Sequence, residues 1–208
     1  IGYEVEKGSF NPPGQEIILK RSEETTPNRV PDLWEGSVID LNIYNNREDE
    51  LAAMIKNLKY NLAVDRLEKS RDILIIALGD YGEAVGLQKK IAKKVKANNI
   101  DFFIPKAVKK NQLDLSNFHN TNPNNFWHKN AVTISNIFRA KGNESYMVYL
   151  LGLDHIAAAE AEIAKRNQLF VALSRSKAWV SVSGIGDYSF YNEFKAVLKS
   201  ESRFKFTF

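Results

Sequence analysis

The sequence predicts an α/β fold, a mostly parallel sheet with helices on both faces. Three observations predict it. Runs rich in β-branched residues alternate along the chain with segments of helical apolar spacing. One run, Ile73–Leu78, is continuously apolar and stops at Gly79, the pattern of a central strand buried on both faces. A length of 208 residues, 44% hydrophobic and 26% charged, suffices for a real core and excludes wholesale disorder. No internal repeat and no clear second core are visible, so the expected organisation is a tail over residues 1–15 and one domain over 16–208.

Taken in order, Glu16–Lys20 and Val38–Tyr44 read as strands bounded by Pro, Gly and Asn. Asn46 is placed to cap a helix whose first turn holds Glu48, Asp49 and Glu50, at the positive end of the dipole. Its buried stripe is Leu51, Met54, Ile55 and Leu58. After the strand Ile73–Leu78, residues 83–97 place Ala84, Leu87, Ile91 and Val95 on one helical face. Ile100–Ile104 is a strand stopped by Pro105, and the Asn-rich stretch 111–130 is a loop. Val132–Ser135 and Tyr146–Leu151 are strands, and His155–Ser174 is one helix with an Ala-rich start. Trp179–Ser183 is the next strand, Tyr191–Leu198 a short helix, and Arg203–Phe208 alternates as an edge strand would.

Composition removes several function classes. With no cysteine there is no disulfide framework, thiolate metal site or cysteine nucleophile. His119, His128 and His155 lack ligand-like spacing, so no metal site is expected. No apolar stretch is long enough to span a membrane and no signal peptide is visible, so the expected setting is cytoplasmic. The chain begins at Ile1 and is read as a piece of something larger. Its net charge is +4, and residues 89–110 concentrate Lys89, Lys90, Lys93, Lys94, Lys96, Lys106, Lys109 and Lys110 against Asp101. That run is either a solvated helix face or an edge facing phosphates.

The familiar phosphate cradles are missing. There is no G-x-x-x-x-G-K-[ST] and no G-x-G-x-x-G, and Gly184–Ile185–Gly186 does not continue as a dinucleotide fingerprint. No serine lies in a G-x-S-x-G elbow. Two other stretches carry candidate chemistry. Thr133–Glu144 leaves a strand and ends in Lys141-Gly142-Asn143-Glu144 before another strand. Loops after strand ends in a parallel sheet face the ligand crevice, where Gly admits phosphate, Lys adds charge and Glu accepts from a ribose hydroxyl. The same residues also suit a plain surface turn. In Arg166–Lys177, Leu169, Phe170 and Leu173 are expected on one packed helical face, with Arg175 at the helix end. There Arg175 and Lys177 also suit the negative end of the helix dipole.

Together and in this order the two stretches resemble the last motifs of superfamily 1 helicases, in the second RecA-like domain of the UvrD/Rep type and its reduced bacterial relatives. That family carries T-x-H-x-x-K-G-x-E and, some tens of residues later, R-x-L-x-V-A-x-T-R-A/S-K. Here the first is Asn136-Ile137-Phe138-Arg139-Ala140-Lys141-Gly142-Asn143-Glu144 and the second runs from Arg166 to Lys177. Leu19-Lys20-Arg21-Ser22 looks like the family's Asn-Tyr-Arg-Ser segment. The likeness covers most of residues 16–198. Phe138 stands where the family has histidine and Asn136 where it has threonine, which exchanges a hydrogen-bonding ring for a stacking one. The large inserted subdomain of the longest members is absent, since only about 28 residues separate Ile104 from Val132, too few for an independent helical domain.

The resemblance implies a RecA-like, P-loop-type α/β domain lacking its own phosphate loop. It implies ATP-dependent helicase or translocase activity in the full-length protein, with ATP and Mg2+ held mainly by an N-terminal RecA-like domain of the same chain. Arg175, and after it Arg21, would be catalytic arginines reaching the γ-phosphate. Lys141, Gly142 and Glu144 would bind nucleotide, and Ser135, Asn136, Phe138 and Arg139 would contact single-stranded DNA, RNA being left open. The isolated fragment would be inactive. The alternative is a catalytically silent RecA-like module that binds nucleic acid or protein.

Overall fold

The computed structural model describes residues 3–10, 13–21, 37–105, 124–199 and 203–207. They fall into two compact units, one of residues 1–36 with 189–208 and one of residues 37–188. In the smaller, β2 (Glu16–Arg21) pairs antiparallel with β1 (Tyr3–Lys7) on one side and β9 (Arg203–Thr207) on the other. β1 lies within the stretch expected as a tail. Glu16 faces Lys205 at 2.6 Å and Lys7 at 4.0 Å, and the Lys205 hydrogen bond holds its carboxyl below the usual range. The unit also contains α6 (Ser189–Lys199), on which Phe190 and Phe194 stack one turn apart.

The larger unit runs β3 (Ile39–Tyr44), α1 (Arg47–Ala63), β4 (Ile73–Ala77), α2 (Tyr81–Ala97), β5 (Phe102–Phe103) and β6 (Val132–Asn136). It continues with α3 (Ile137–Ala140), β7 (Ser145–Leu151), α4 (Leu153–Ala157), α5 (Ile163–Leu173) and β8 (Ser176–Ile185). The sheet order is β3-β8-β7-β4-β6-β5, and every neighbouring pair is parallel. Parallel strands need a connection returning to the starting edge, and α1, α2 and α5 provide three of these returns.

Each helix starts where its sequence allows. The Asn46 side chain accepts from the Asp49 amide at 2.9 Å, and Glu83 reaches back to the Asp80 amide at 2.8 Å. On one face of the sheet, Ile73, Ile75 and Ala77 of β4 and Met147, Tyr149 and Leu151 of β7 pack with Leu51, Met54, Ile55 and Leu58 of α1 and Leu87, Ile91 and Val95 of α2. Alternation sends Leu74, Ile76, Val148 and Leu150 to the opposite face, all fully buried, where α3 meets β4 and α5 meets β7 and β8.

Two sequence expectations need correction. His155–Ser174 is not one helix but α4 and α5 separated by residues 158–162. Both Ile156 and Leu169 are buried, and in one continuous helix they would point about 140° apart at 3.6 residues per turn. The Ala-rich stretch therefore yields to packing. Phe170 does not share the packed face of α5; it is 71% exposed, while Leu169 and Ala172 are buried. Lys106, Lys109, Lys110 and the loop residues 111–123 lie outside the described residues.

Candidate functional site

Strand direction divides the stretch Thr133–Glu144 between two edges of the sheet. β6 delivers Ser135 and Asn136 to the carboxyl edge, where they pair with Ile76 and Ala77. β7, parallel to the same β4, begins at the amino edge. Residues 137–144 therefore run back from the carboxyl to the amino edge of the sheet, and Lys141, Gly142 and Glu144 sit at the start of β7 rather than beyond a strand's carboxyl end. The crevice rule used on the sequence points to the wrong edge for these three. Gly142 has φ +86°, and a Cβ there would meet nothing within 4 Å. The backbone angle calls for glycine, and the space in front of it is open. Asn143 closes the turn by donating to the Ala140 carbonyl at 2.9 Å.

Of the four expected strand contacts, Phe138 is the most exposed, at 60%. Asn136 caps α3, its side chain accepting from the Arg139 amide at 3.0 Å. Arg139 is half-buried. Ser135 is fully buried, its hydroxyl donating to the Asn136 carbonyl at 3.0 Å, so it supports the edge from beneath.

The amino ends of β7 and β8 bring the two motifs together. Ser145 pairs with Ser176, and the Ser145 amide donates to the Arg175 carbonyl at 3.0 Å. Glu144 and Arg175 are thereby backbone neighbours, although thirty-one positions apart in the chain. The Arg175 guanidinium folds onto its own helix, with Nε donating to the Val171 carbonyl at 3.1 Å and Nη2 to the Ser174 hydroxyl at 3.1 Å. Arg21 ends β2 in the other unit, and its side chain lies outside the described residues.

Sequence reasoning missed a buried ionic cluster at the carboxyl edge. Glu50, read as a first-turn acid, is fully buried and accepts from the Ser183 hydroxyl at 2.7 Å, the Gly152 amide at 3.2 Å and Arg47. Arg47 also donates to Asp154 at 2.6 Å, and Asp154 accepts from the Ile185 amide at 3.3 Å. Burial and the Glu50 charge push the Tyr44 hydroxyl up. The only hint in the sequence is the i, i+3 spacing of Arg47 and Glu50, which a surface pair shares. A second missed feature fixes α5. Lys165, almost buried, meets Asp80 at 2.7 Å, while the Gln168 amide donates to the Gly79 carbonyl at 3.0 Å and accepts from its N–H at 3.2 Å. Among the described residues no group of three or more His, Asp or Glu could hold a metal ion. Among them, too, no helix is long and apolar enough to cross a membrane.

The larger unit is thus an α/β domain on a six-stranded sheet whose neighbouring strands are all parallel, with the two motif-bearing segments meeting at its amino edge. Residues 131–183, from β6 through most of β8, match the family of UvrD-like helicase C-terminal domains. The fold is similar to the crystal structure of the C-terminal domain of a possible DNA helicase from Lactobacillus plantarum WCFS1, with a TM-score of 0.51 and 17% identity over 74% of this chain and 78% of that one. The resemblance to UvrD-like helicases read from the motifs is thereby borne out. No curated protein matches the sequence significantly.

Proposed function

We propose that this chain is the second motor domain of an ATP-dependent DNA helicase or translocase, and that it is inactive without an N-terminal RecA-like domain holding the phosphates and Mg2+. The observation that carries the reading is the pairing of Ser145 with Ser176, which sets Glu144 and Arg175 side by side at one edge of the sheet. In this reading Lys141, Gly142 and Glu144 meet the nucleotide, and Arg175, with Arg21 as a second arginine, meets the γ-phosphate. A guanidinium fixed beside phosphoryl oxygens stabilises the charge that develops during transfer, an effect of 10³–10⁵-fold in arginine-finger systems. Phe138 and Arg139, supported by Ser135 and Asn136, contact single-stranded DNA, by stacking and charge. The exposed lysines of α2 add electrostatic support.

The folded-back guanidinium of Arg175 favours a second reading, in which Arg175 caps its helix and the module binds without catalysis. One experiment separates the two. In the full-length protein, Arg175→Ala should slow ATP turnover about a thousandfold or more with little loss of nucleotide affinity, and Arg175→Lys should rescue little. The 208-residue chain alone should hydrolyse no ATP. A fully active Arg175→Lys protein would leave Arg175 as a helix cap.

A further inference from the structure

Where α1 and α2 lie together on one face of the sheet, their flanks leave a groove of about 490 Å³. Both helices turn their apolar stripes inward, so the residues bordering those stripes line the groove. From α1 come Arg47, Glu48 and the rim of Leu51. On α2 the spacing i, i+4, i+7 sets Lys90, Lys94 and Ala97 on one ridge, with Lys93 beside them.

Both walls are held. The Arg47 guanidinium is engaged by Glu50 and by Asp154 at 2.6 Å. Lys94 pairs with Glu48, and Lys59 donates to the Asn98 side chain at 2.8 Å, tying α1 to the end of α2. The Lys94–Glu48 pair is lopsided: the lysine side chain is 26% exposed and the glutamate side chain 71%, so a carboxylate lies over a half-sheltered cation. Lys90 and Lys93 are exposed, and among the described residues neither has an ion-pair or hydrogen-bond partner. Three ammonium groups therefore share one carboxylate, while their methylene stems, with Leu51 and Ala97, keep the floor aliphatic.

That combination selects a class of ligand. Grooves that grip single strands lay bases on aromatic rings, and no aromatic residue lines this one. A cradle for free phosphate uses glycine N–H groups or hydroxyls, and neither glycine, serine nor threonine lines it. An aliphatic floor between lysines fits an amphipathic helix whose apolar stripe is bordered by carboxylates. We propose that the α1–α2 groove is a docking surface for an acidic amphipathic helix of a partner protein. Its apolar side chains sit over Leu51 and Ala97, and its carboxylates meet Lys90, Lys93 and Lys94. In the free chain Glu48 stands in for one of those carboxylates. The proposal does not depend on the motor reading, since the groove shares no residue with either motif.

The 208-residue chain is titrated into a fluorescein-labelled helical peptide about sixteen residues long, with one leucine stripe bordered by glutamates. Anisotropy is followed at about 0.15 M salt, where diffuse attraction is screened. Binding should saturate with a dissociation constant of about 10–100 μM. Lys90→Glu combined with Lys93→Glu should weaken it about tenfold or more. The same double variant should bind a companion peptide with lysines in place of glutamates, which the wild type does not bind, and this exchange also shows that the variant is folded. Ala97→Phe fills the floor without touching charge and should weaken the acidic peptide about tenfold, as should serines in place of the peptide's leucines. No saturation at about 1 mM, full affinity for the serine peptide, wild-type affinity in either variant, or failure of the charge exchange overturns the proposal. Displacement by an oligothymidylate at equal charge concentration overturns it too and gives the lysines to a strand.

Discussion

Glu50 has no contact with water and accepts from three donors, Arg47, the Gly152 amide and the Ser183 hydroxyl. A buried carboxylate persists only when paired and fully hydrogen-bonded. Removing one partner of such a pair leaves the other charge stranded, at a cost of about 3–5 kcal/mol. Glu50→Ala should therefore lower the unfolding free energy by about that amount in urea titrations, because Arg47, the Ser183 hydroxyl and the Gly152 amide all lose their acceptor. Tyr149 presents the neutral counterpart. Its buried hydroxyl meets Asn61, and burial, with a smaller contribution from Asp65, pushes its ionisation well above the ordinary value. The unfolded tyrosine ionises near pH 10, so the stabilisation is complete below that pH and is lost as pH rises toward the folded value. Thermal melts between about pH 9 and 11.5 should fall more steeply for the wild type than for Tyr149→Phe, which has no proton to release. Phe138, by contrast, belongs to the surface. Phe138→Ala should leave stability almost unchanged and weaken single-strand binding by about 1–3 kcal/mol, while unchanged affinity would mean no base stacks there.

Among the elements, α5 is the connector. Its first half is clamped to the turn after β4 by Lys165 and Gln168, and its far end leads to Arg175 and the start of β8. Gln168→Ala strips both hydrogen bonds from the Gly79 peptide, a loss of about 1–3 kcal/mol where the freed groups stay part-buried. Amide exchange in α5 and at Arg175 should quicken in that variant, and unaltered protection would locate the restraint elsewhere. Elements with one dominant local signal were legible in the sequence. The stripe of α1 and the apolar run of β4 needed only their own residues. β1 was not legible, because Tyr-Glu-Val-Glu-Lys carries too few apolar positions to stand out from a tail. The break between α4 and α5 was hidden by an Ala-rich stretch whose propensity favours continuity. At the site, the two motifs are short-range patterns and could be read directly. The pairing of Ser145 with Ser176, the groove between α1 and α2 and the burial of Glu50 all depend on partners thirty to more than a hundred residues away, and no local spacing encodes them.

For the whole molecule, charge sets the scale of strand binding. The exposed residues Lys89, Lys90, Lys93 and Lys96 of α2 are a diffuse source of attraction, and exposed charges are screened by salt. Binding of an oligothymidylate by the chain should be weak, with a log–log salt slope of about −0.7 per phosphate neutralised. Replacing two of these lysines with Gln should flatten that slope by roughly 1.4 if both touch phosphates. An identical slope would leave α2 a solvated face.

The strand order has a consequence for how the chain is made. Among the described residues β3 has a single strand neighbour, β8, and the register joins Ile39 to Val180 and Tyr44 to Ile185. A ribosome that has finished β3 must add well over a hundred further residues before that partner exists, roughly 7–28 s at ordinary elongation rates. For that interval β3 has no strand to pair with, and Glu50 waits for Gly152 and Ser183, which arrive last of all its partners. A nascent chain stalled before residue 176 would hold β4, β6 and β7 side by side with the edges of β7 and β3 that β8 joins still vacant, a surface that a neighbouring nascent chain could occupy first.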